Sequence, residues 1–100
     1  MLFRSDLPWL TGVEAFADAG VITGASGRNW ASYSESVGLG ARLPERARAL
    51  LTDPQTSGGL LVSCAPESVD DVLAIFRADG FDRAVVIGEM RDGTPRVEVA

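Results

Sequence analysis

The clearest helical pattern in the chain lies between residues 68 and 80. Apolar side chains recur there at positions i, i+3, i+4 and i+7: Val69, Val72, Leu73 and Phe76. Ser68 precedes them in an S-x-x-D signature that is typical of a helix start. Gly80 is typical of the residue after a helix, and Phe81 supplies the accompanying hydrophobic contact. The pattern predicts one amphipathic helix packed on a sheet.

Two shorter helices are predicted upstream. Residues 11–14 read T-x-x-E, a capping box that opens a helix to about Ala19, and Gly20 suits the left-handed position after it. Residues 44–51 begin with proline, which favours the first turn of a helix. Asp53 precedes a second proline and should end that helix, because a residue before proline is pushed away from helical geometry.

The strand signals lie in the second half of the chain. Residues 59–64 and 84–90 are short apolar runs and predict buried strands. Asp92-Gly93 signals a hairpin turn, and residues 96–100 alternate as an outer strand does. A strand, a crossover helix and a second strand indicate a parallel pair with an antiparallel edge. The prediction is a single α+β domain over residues 1–100, a mixed sheet with helices packed on it.

Residues 20–43 are rich in glycine and serine and predict a long loop with a short strand near 33–37. Loops of this length are uncommon in compact domains unless they serve a site or pack on a partner. Arg28 and Asn29 could bind a phosphate or a partner's backbone, or they could belong to an ordinary surface loop. The glycines match neither the dinucleotide fingerprint nor the P-loop.

Charge and composition narrow the chemistry. The net charge is −5, which disfavours nucleic acid as a partner, and the apolar stretches are too short to span a membrane. All nine basic residues are arginine, so a lysine nucleophile, a histidine base and a histidine metal ligand are all absent. Cys64 has no second cysteine to pair with, and it is expected to be a small buried apolar residue. A cytoplasmic location is expected.

Between the second predicted helix and the first buried strand lies the loop Asp53–Gly59, DPQTSGG. Asp53-Pro54 is a type I turn signal, and the two glycines suit a tight connection from helix to strand. Residues 57–59 could instead gather backbone N–H groups into a concave anion nest. Asp53 is the acid of most interest, but no second acid stands nearby, so the sequence does not predict a metal site.

Three segments closely resemble one enzyme family. LLTDPQTSGGLLVSCAPE (50–67), LPWLTGVEAFADAGVITGASGRN (7–29) and the strand AVVIGEM (84–90) resemble the C-terminal region of selenophosphate synthetase, or selenide, water dikinase. The resemblance runs from about Leu7 to Val99. Wider kin are the ATP-using enzymes related to aminoimidazole ribonucleotide (AIR) synthetase, whose C-terminal domains share this α+β layout.

The resemblance implies an enzyme that converts ATP, selenide and water to selenophosphate, AMP and phosphate. Its nucleophilic cysteine or selenocysteine, its essential lysine and its magnesium-binding aspartates belong to an N-terminal domain. The chain is therefore expected to be the later part of the C-terminal domain, with no catalytic, metal or cofactor residue of its own. ATP and magnesium are implied for the full-length enzyme, and the implied partners are that N-terminal domain and a second subunit in a homodimer.

Under this reading the chain supports the fold and lines the substrate cleft, and it is not an active enzyme alone. The possible cleft-lining residues are Asp53, Gln55, Thr56, Ser57, Gly58, Gly59 and Asn29. The alternative from the residues is a stand-alone small α+β module that binds or regulates a partner.

Overall fold

The structure, a computed structural model, describes every residue from 1 to 100. Its helices and strands are α1 Val13–Asp18, α2 Gly24–Tyr33, β1 Val37–Leu39, α3 Glu45–Leu51, α4 Val69–Ala78 and β2 Val97–Val99. Single turns of 3-10 helix lie at Arg4–Asp6, Ser34–Ser36 and Pro66–Ser68. The prediction of an α+β fold is confirmed.

Helices α1, α3 and α4 lie where the sequence predicts helices. Gly20 and Gly80 follow α1 and α4 with φ of +82° and +88°, a left-handed conformation that glycine adopts without strain. The ring of Phe81 packs edge-on against Phe76, with 6.3 Å between the centroids. The contact predicted to close α4 is therefore present.

The capping box predicted at the start of α1 does not form. The residue that caps α1 is Gly12, which has no side chain to accept a hydrogen bond, and Thr11 lies one position too early. The carboxylate of Glu14 is instead bound by the guanidinium of Arg4 and by that of Arg46, at 3.4 Å from Nε. These ion pairs tie the N-terminal 3-10 turn and α3 to α1.

The prediction that residues 20–43 form a long loop is wrong, because α2 occupies the middle of that range. Glycine and serine have low helix propensity, so local sequence argues against a helix here. Contacts with α3 outweigh this preference. The Asn29 side chain donates to the Thr52 carbonyl at 2.8 Å, and the Arg48 guanidinium lies over the Trp30 ring, 5.8 Å from its centroid.

Strands β1 and β2 pair in parallel, with Val37 opposite Val97 and Leu39 opposite Val99. The strand predicted near the C-terminus is present, but it has neighbours on both sides and is not the outer strand that was predicted. The hairpin predicted at Asp92-Gly93 is also wrong. That turn would have paired β2 with residues 84–90, and another segment occupies that side of β2.

The segment beside β2 is the start of the chain. The Leu2 N–H donates to the Glu98 carbonyl at 2.7 Å, and the Ala100 N–H donates to the Leu2 carbonyl at 3.0 Å. On its far side Leu2 forms an antiparallel bridge with Gly88, where a side chain would collide with the Met1 backbone. Residues 1–4 thus take the place of the predicted hairpin partner.

Residues 59–64 and 84–90 are not the buried strands that the sequence predicts. No backbone group between residues 54 and 64 hydrogen bonds to another backbone group. Leu60 and Leu61 are each 81% exposed, and Cys64, predicted to be buried, is exposed as well. A segment becomes a strand only when its backbone pairs with that of another, and within residues 1–100 no segment pairs with 59–64.

The core of the chain is small, and four of its five buried residues lie between positions 17 and 52. Only five residues are buried: Ala17, Ser26, Ala47, Thr52 and Val99. The accessible surface is 7532 Å², whereas a folded monomer of 10.6 kDa exposes roughly 5,500 Å². The excess reflects uncovered apolar side chains, which are concentrated in the second half.

Candidate functional site

The loop Asp53–Gly59 begins where α3 ends, and its base is firmly anchored. Thr52 is 4% exposed, and its hydroxyl donates to the Arg48 carbonyl at 2.8 Å in the last turn of α3. The carbonyl of Thr52 has no partner within the helix, as is usual at a helix C-terminus. The Asn29 side chain supplies that partner at 2.8 Å. The structure thus brings Asn29 to the base of the loop.

The carboxylate of Asp53 is engaged on both oxygens. The hydroxyl of Thr23 donates to Oδ1 at 3.1 Å, and the side-chain amide of Gln55 donates to Oδ2 at 2.8 Å. Thr23 also lies 3.1 Å from the hydroxyl of the buried Ser26. Asp53 and Gln55 therefore share a hydrogen-bonded group with Thr23 and Ser26, while Asn29 binds the adjacent Thr52.

The sequence analysis missed three residues that hold the base of the loop, Thr23, Ser26 and Thr52. Thr23 directly precedes α2, where threonine is a favoured helix cap. That signal could have been noticed had residues 20–43 not been taken as a loop. Ser26 and Thr52 carried no comparable signal, because their roles depend on the packing of α2 against α3.

The tip of the loop, unlike its base, is exposed and is not held by hydrogen bonds. Thr56, Ser57, Gly58 and Gly59 are exposed, and Thr56-Ser57 forms a turn. None of these residues makes a hydrogen bond. A side chain at position 58 would put its Cβ 3.0 Å from Cβ of Gln55, whereas nothing lies within 4 Å of the same point at Gly59.

A cavity of about 370 Å³ lies next to the base of the loop, between α1, α2 and α3. The arginines at its wall are already paired with acids. Arg46 donates to both oxygens of Asp18 at 3.1 Å, and these hydrogen bonds raise the pKa of its guanidinium. Arg48 binds Glu45 at 3.1 Å. The cavity therefore offers an anion little uncompensated positive charge.

No group of three or more histidine, cysteine, aspartate or glutamate side chains is arranged to hold a metal ion. No helix is long and apolar enough to cross a membrane. The polar cluster at the base of the Asp53–Gly59 loop and the exposed tip beyond it are the features that set this surface apart.

Comparison with known families decides where the chain belongs. The family model described as AIR synthase related protein, C-terminal domain, matches residues 29–100. The chain belongs to this family. The matched region starts at Asn29 and contains the whole Asp53–Gly59 loop, so every candidate cleft residue lies inside the AIR synthase-related C-terminal domain.

The chain is also closely similar to several longer proteins. A protein of Burkholderia ambifaria is 73% identical over 96 residues, which is 96% of this chain and 27% of the relative. A Pseudomonas straminea protein is 58% identical over 93% of the chain and 26% of its own length, and a Rhizobium meliloti protein is 46% identical over 95% and 27%. All three are named selenide, water dikinase.

These names agree with the resemblance drawn from the DPQTSGG loop and its flanks. The chain spans about a quarter of the length of these relatives, 26% to 27%. Its similarity to them is therefore to one portion of a longer protein that carries the AIR synthase-related C-terminal domain.

Proposed function

We propose that the chain is the C-terminal portion of a selenide, water dikinase, the enzyme that makes selenophosphate, AMP and phosphate from ATP, selenide and water. The observation that carries the proposal is 73% identity over 96% of this chain to a protein of that name. The chain would support the fold and line the substrate cleft, while an N-terminal domain of the same polypeptide supplies the nucleophile, the lysine and the magnesium ligands.

The Asp53–Gly59 loop is the part of the chain proposed to line the cleft. Its exposed tip and hydrogen-bonded base suit a wall that presents backbone N–H groups and small side chains to a ligand. Asn29 joins the same wall through its bond to Thr52. The chain would be inactive alone, because phosphoryl transfer needs a metal–phosphate clamp, and this chain has no acidic cluster to hold the metal.

In the full-length enzyme we propose that residues 59–64 and 84–90 become strands of a mixed sheet. Both are rich in apolar residues, and residues 59–64 have unpaired backbone groups. The enzyme would act in the cytoplasm as a homodimer, without nucleic acid. The uncovered apolar surface argues against the stand-alone module considered from the sequence, since such a module buries its own core.

The test is to introduce Asp53→Ala and Thr56→Ala separately into the full-length enzyme and to measure ATP consumption and selenophosphate formation. If the loop lines the cleft, kcat/KM falls by about tenfold or more, because a small misplacement of a positioning loop is costly. Asp92→Ala and Thr94→Ala are matched controls, since both residues are exposed and make no side-chain hydrogen bond. Normal turnover in both loop variants would refute the role of the loop.

A further inference from the structure

We infer that Thr23 and Asn29 are positioning residues for the Asp53–Gly59 loop. They hold the base of the loop on α2 and leave its tip free to meet substrate. The inference rests on the proposed function, and it assigns a positioning role to two side chains outside the loop. It also assigns Asp53 a specific role, which is to join the loop to α2 through a hydrogen bond.

Asn29 provides the more protected of the two ties. Its side-chain amide donates to the Thr52 carbonyl at 2.8 Å in a partly buried position, and Thr52 itself is buried. No other group satisfies that carbonyl. Loss of the amide would therefore leave a shielded acceptor without a partner, which costs more than the loss of an exposed hydrogen bond.

Thr23 provides the second tie, and its hydroxyl does not take the usual capping role. It stands at the N-cap of α2 with an extended backbone, φ −73° and ψ 145°, yet its hydroxyl caps no helix N–H. A threonine hydroxyl has one proton to donate, and here Thr23 donates it to the Asp53 carboxylate at 3.1 Å. The Ser26 hydroxyl can in turn donate to the hydroxyl oxygen of Thr23. The geometry favours contact with the loop over capping.

The spacing of the two ties explains what they fix. Thr23 and Asn29 are six positions apart, which corresponds to about 9 Å along the axis of α2. Two attachment points at that separation set the direction in which the loop leaves α3 as well as its position. Beyond Gln55 no residue up to position 64 is held by a hydrogen bond. The contacts at the base of the loop therefore set the direction in which its tip points.

The role of Asp53 follows from the same contacts. Each carboxylate oxygen already accepts a hydrogen bond from a neighbour, Thr23 on one side and Gln55 on the other. Because the carboxylate has no second acid beside it, it is poorly suited to hold a metal ion. It is well suited to join the loop to the first turn of α2.

The experiment uses the full-length enzyme with Thr23→Val and Asn29→Ala, each alone and combined with Asp53→Ala. Thr23→Ser keeps the hydroxyl and serves as the rescue, and Ser32→Ala removes an exposed hydroxyl that binds only the Arg28 carbonyl of the same helix. Two quantities are measured: kcat and KM in every variant and, in the variants that keep Asp53, the rate at which endoproteinase Asp-N cleaves the Thr52–Asp53 bond, followed by mass spectrometry.

We expect Thr23→Val and Asn29→Ala each to raise the cleavage rate and to lower kcat/KM by roughly two- to tenfold, the effect of one lost hydrogen bond. Thr23→Ser and Ser32→Ala should match the parent enzyme in both measurements. Thr23→Val combined with Asp53→Ala should lose no more activity than Asp53→Ala alone, because both changes break the same tie.

The outcomes separate this inference from the proposed function. If Asp53→Ala and Thr56→Ala impair turnover while Thr23→Val and Asn29→Ala change neither measurement, the loop has its role and the inference is overturned. Fully additive losses in the double variant would also overturn it. If cleavage accelerates but every variant turns over normally, the tie exists without serving catalysis, and both the positioning role and the cleft role fail.

Discussion

At the scale of single residues, the two glycines at the end of the DPQTSGG loop are not equivalent. Gly58 lies against its own turn, where an added Cβ would approach the Gln55 carbonyl oxygen to 3.4 Å and its Cβ to 3.0 Å. Gly59 faces open space in this chain. Neither has the positive φ that excludes other residues, so the difference between them is one of contact.

We therefore expect Gly58→Ala to be less stable than Gly59→Ala by about 1 kcal/mol, the cost of a tight contact that the neighbouring residue must relieve. Both changes remove similar conformational freedom from the unfolded chain, so that contribution cancels in the comparison. Urea unfolding of the two variants measures the difference. Equal free energies of unfolding would mean that the turn is not packed against Gln55.

At the scale of secondary-structure elements, a network of charges joins α1 to its neighbours. Glu14 on α1 binds Arg4 of the N-terminal turn and Arg46 of α3, and Arg46 also binds Asp18 at the other end of α1. The Arg4 and Arg46 side chains are only 25% and 31% exposed. Ion pairs that share partners and are partly shielded contribute more than isolated surface pairs.

Glu14→Ala should therefore lower the thermal midpoint by about 4 °C or more, because it leaves two arginines without their shared acid. Glu45→Ala is the matched control. Glu45 is 86% exposed and binds only Arg48, three positions along the same helix. Thermal unfolding followed by circular dichroism compares the two. A larger loss in the control would show that the Glu14 network does not hold these elements together.

The same scale shows which parts of the fold were predictable. Helix α4 follows from four apolar side chains within eight residues, so its signal is local, and the structure confirms it. Helix α2 contains Gly24 and Gly27 and is stabilised by contacts with α3, some 20 positions away, which a local pattern does not reveal. Residues 59–64 have the right composition for a strand, but strand formation depends on a neighbour.

The residues of the candidate site likewise differ in whether the sequence alone could identify them. The DPQTSGG loop and Asn29 could be selected because their motif is specific. Thr23 could be recognised as a candidate helix cap but not as the partner of Asp53, because that contact spans 30 positions and requires that α2 exist. The motif thus identifies the loop from the sequence, whereas the side chains that hold the loop in place can be identified only from the folded structure.

At the scale of the whole molecule, the chain exposes more surface than its mass accounts for. The excess over an ordinary monomer is roughly 2,000 Å² in a total of 7532 Å². A stable protein–protein contact requires about 800 Å² from each partner. Leu60 and Leu61 are exposed on a segment whose backbone groups are unpaired, and unpaired backbone groups are the usual template for pairing with a second chain.

The isolated chain should therefore self-associate through residues 59–64, and Leu60→Lys should reduce that association by placing a charge on the pairing segment. Leu10→Lys is the control, because Leu10 is also well exposed, at 68%, but lies outside the segment. Size-exclusion chromatography with light scattering measures the mass across concentrations. A monomer at all concentrations would contradict this prediction.

The position of Leu2 between β2 and Gly88 has a consequence for the order in which the molecule is made. Leu2 is synthesised 96 residues before its partner Glu98, an interval on the order of 5 s or more at ordinary rates of synthesis. Throughout that interval residues 1–4 have no permanent position. Helices α1 to α3 can assemble meanwhile. The pairing of β2 with β1 and with residues 1–4 forms last, because contacts between segments that are distant in sequence form slowly.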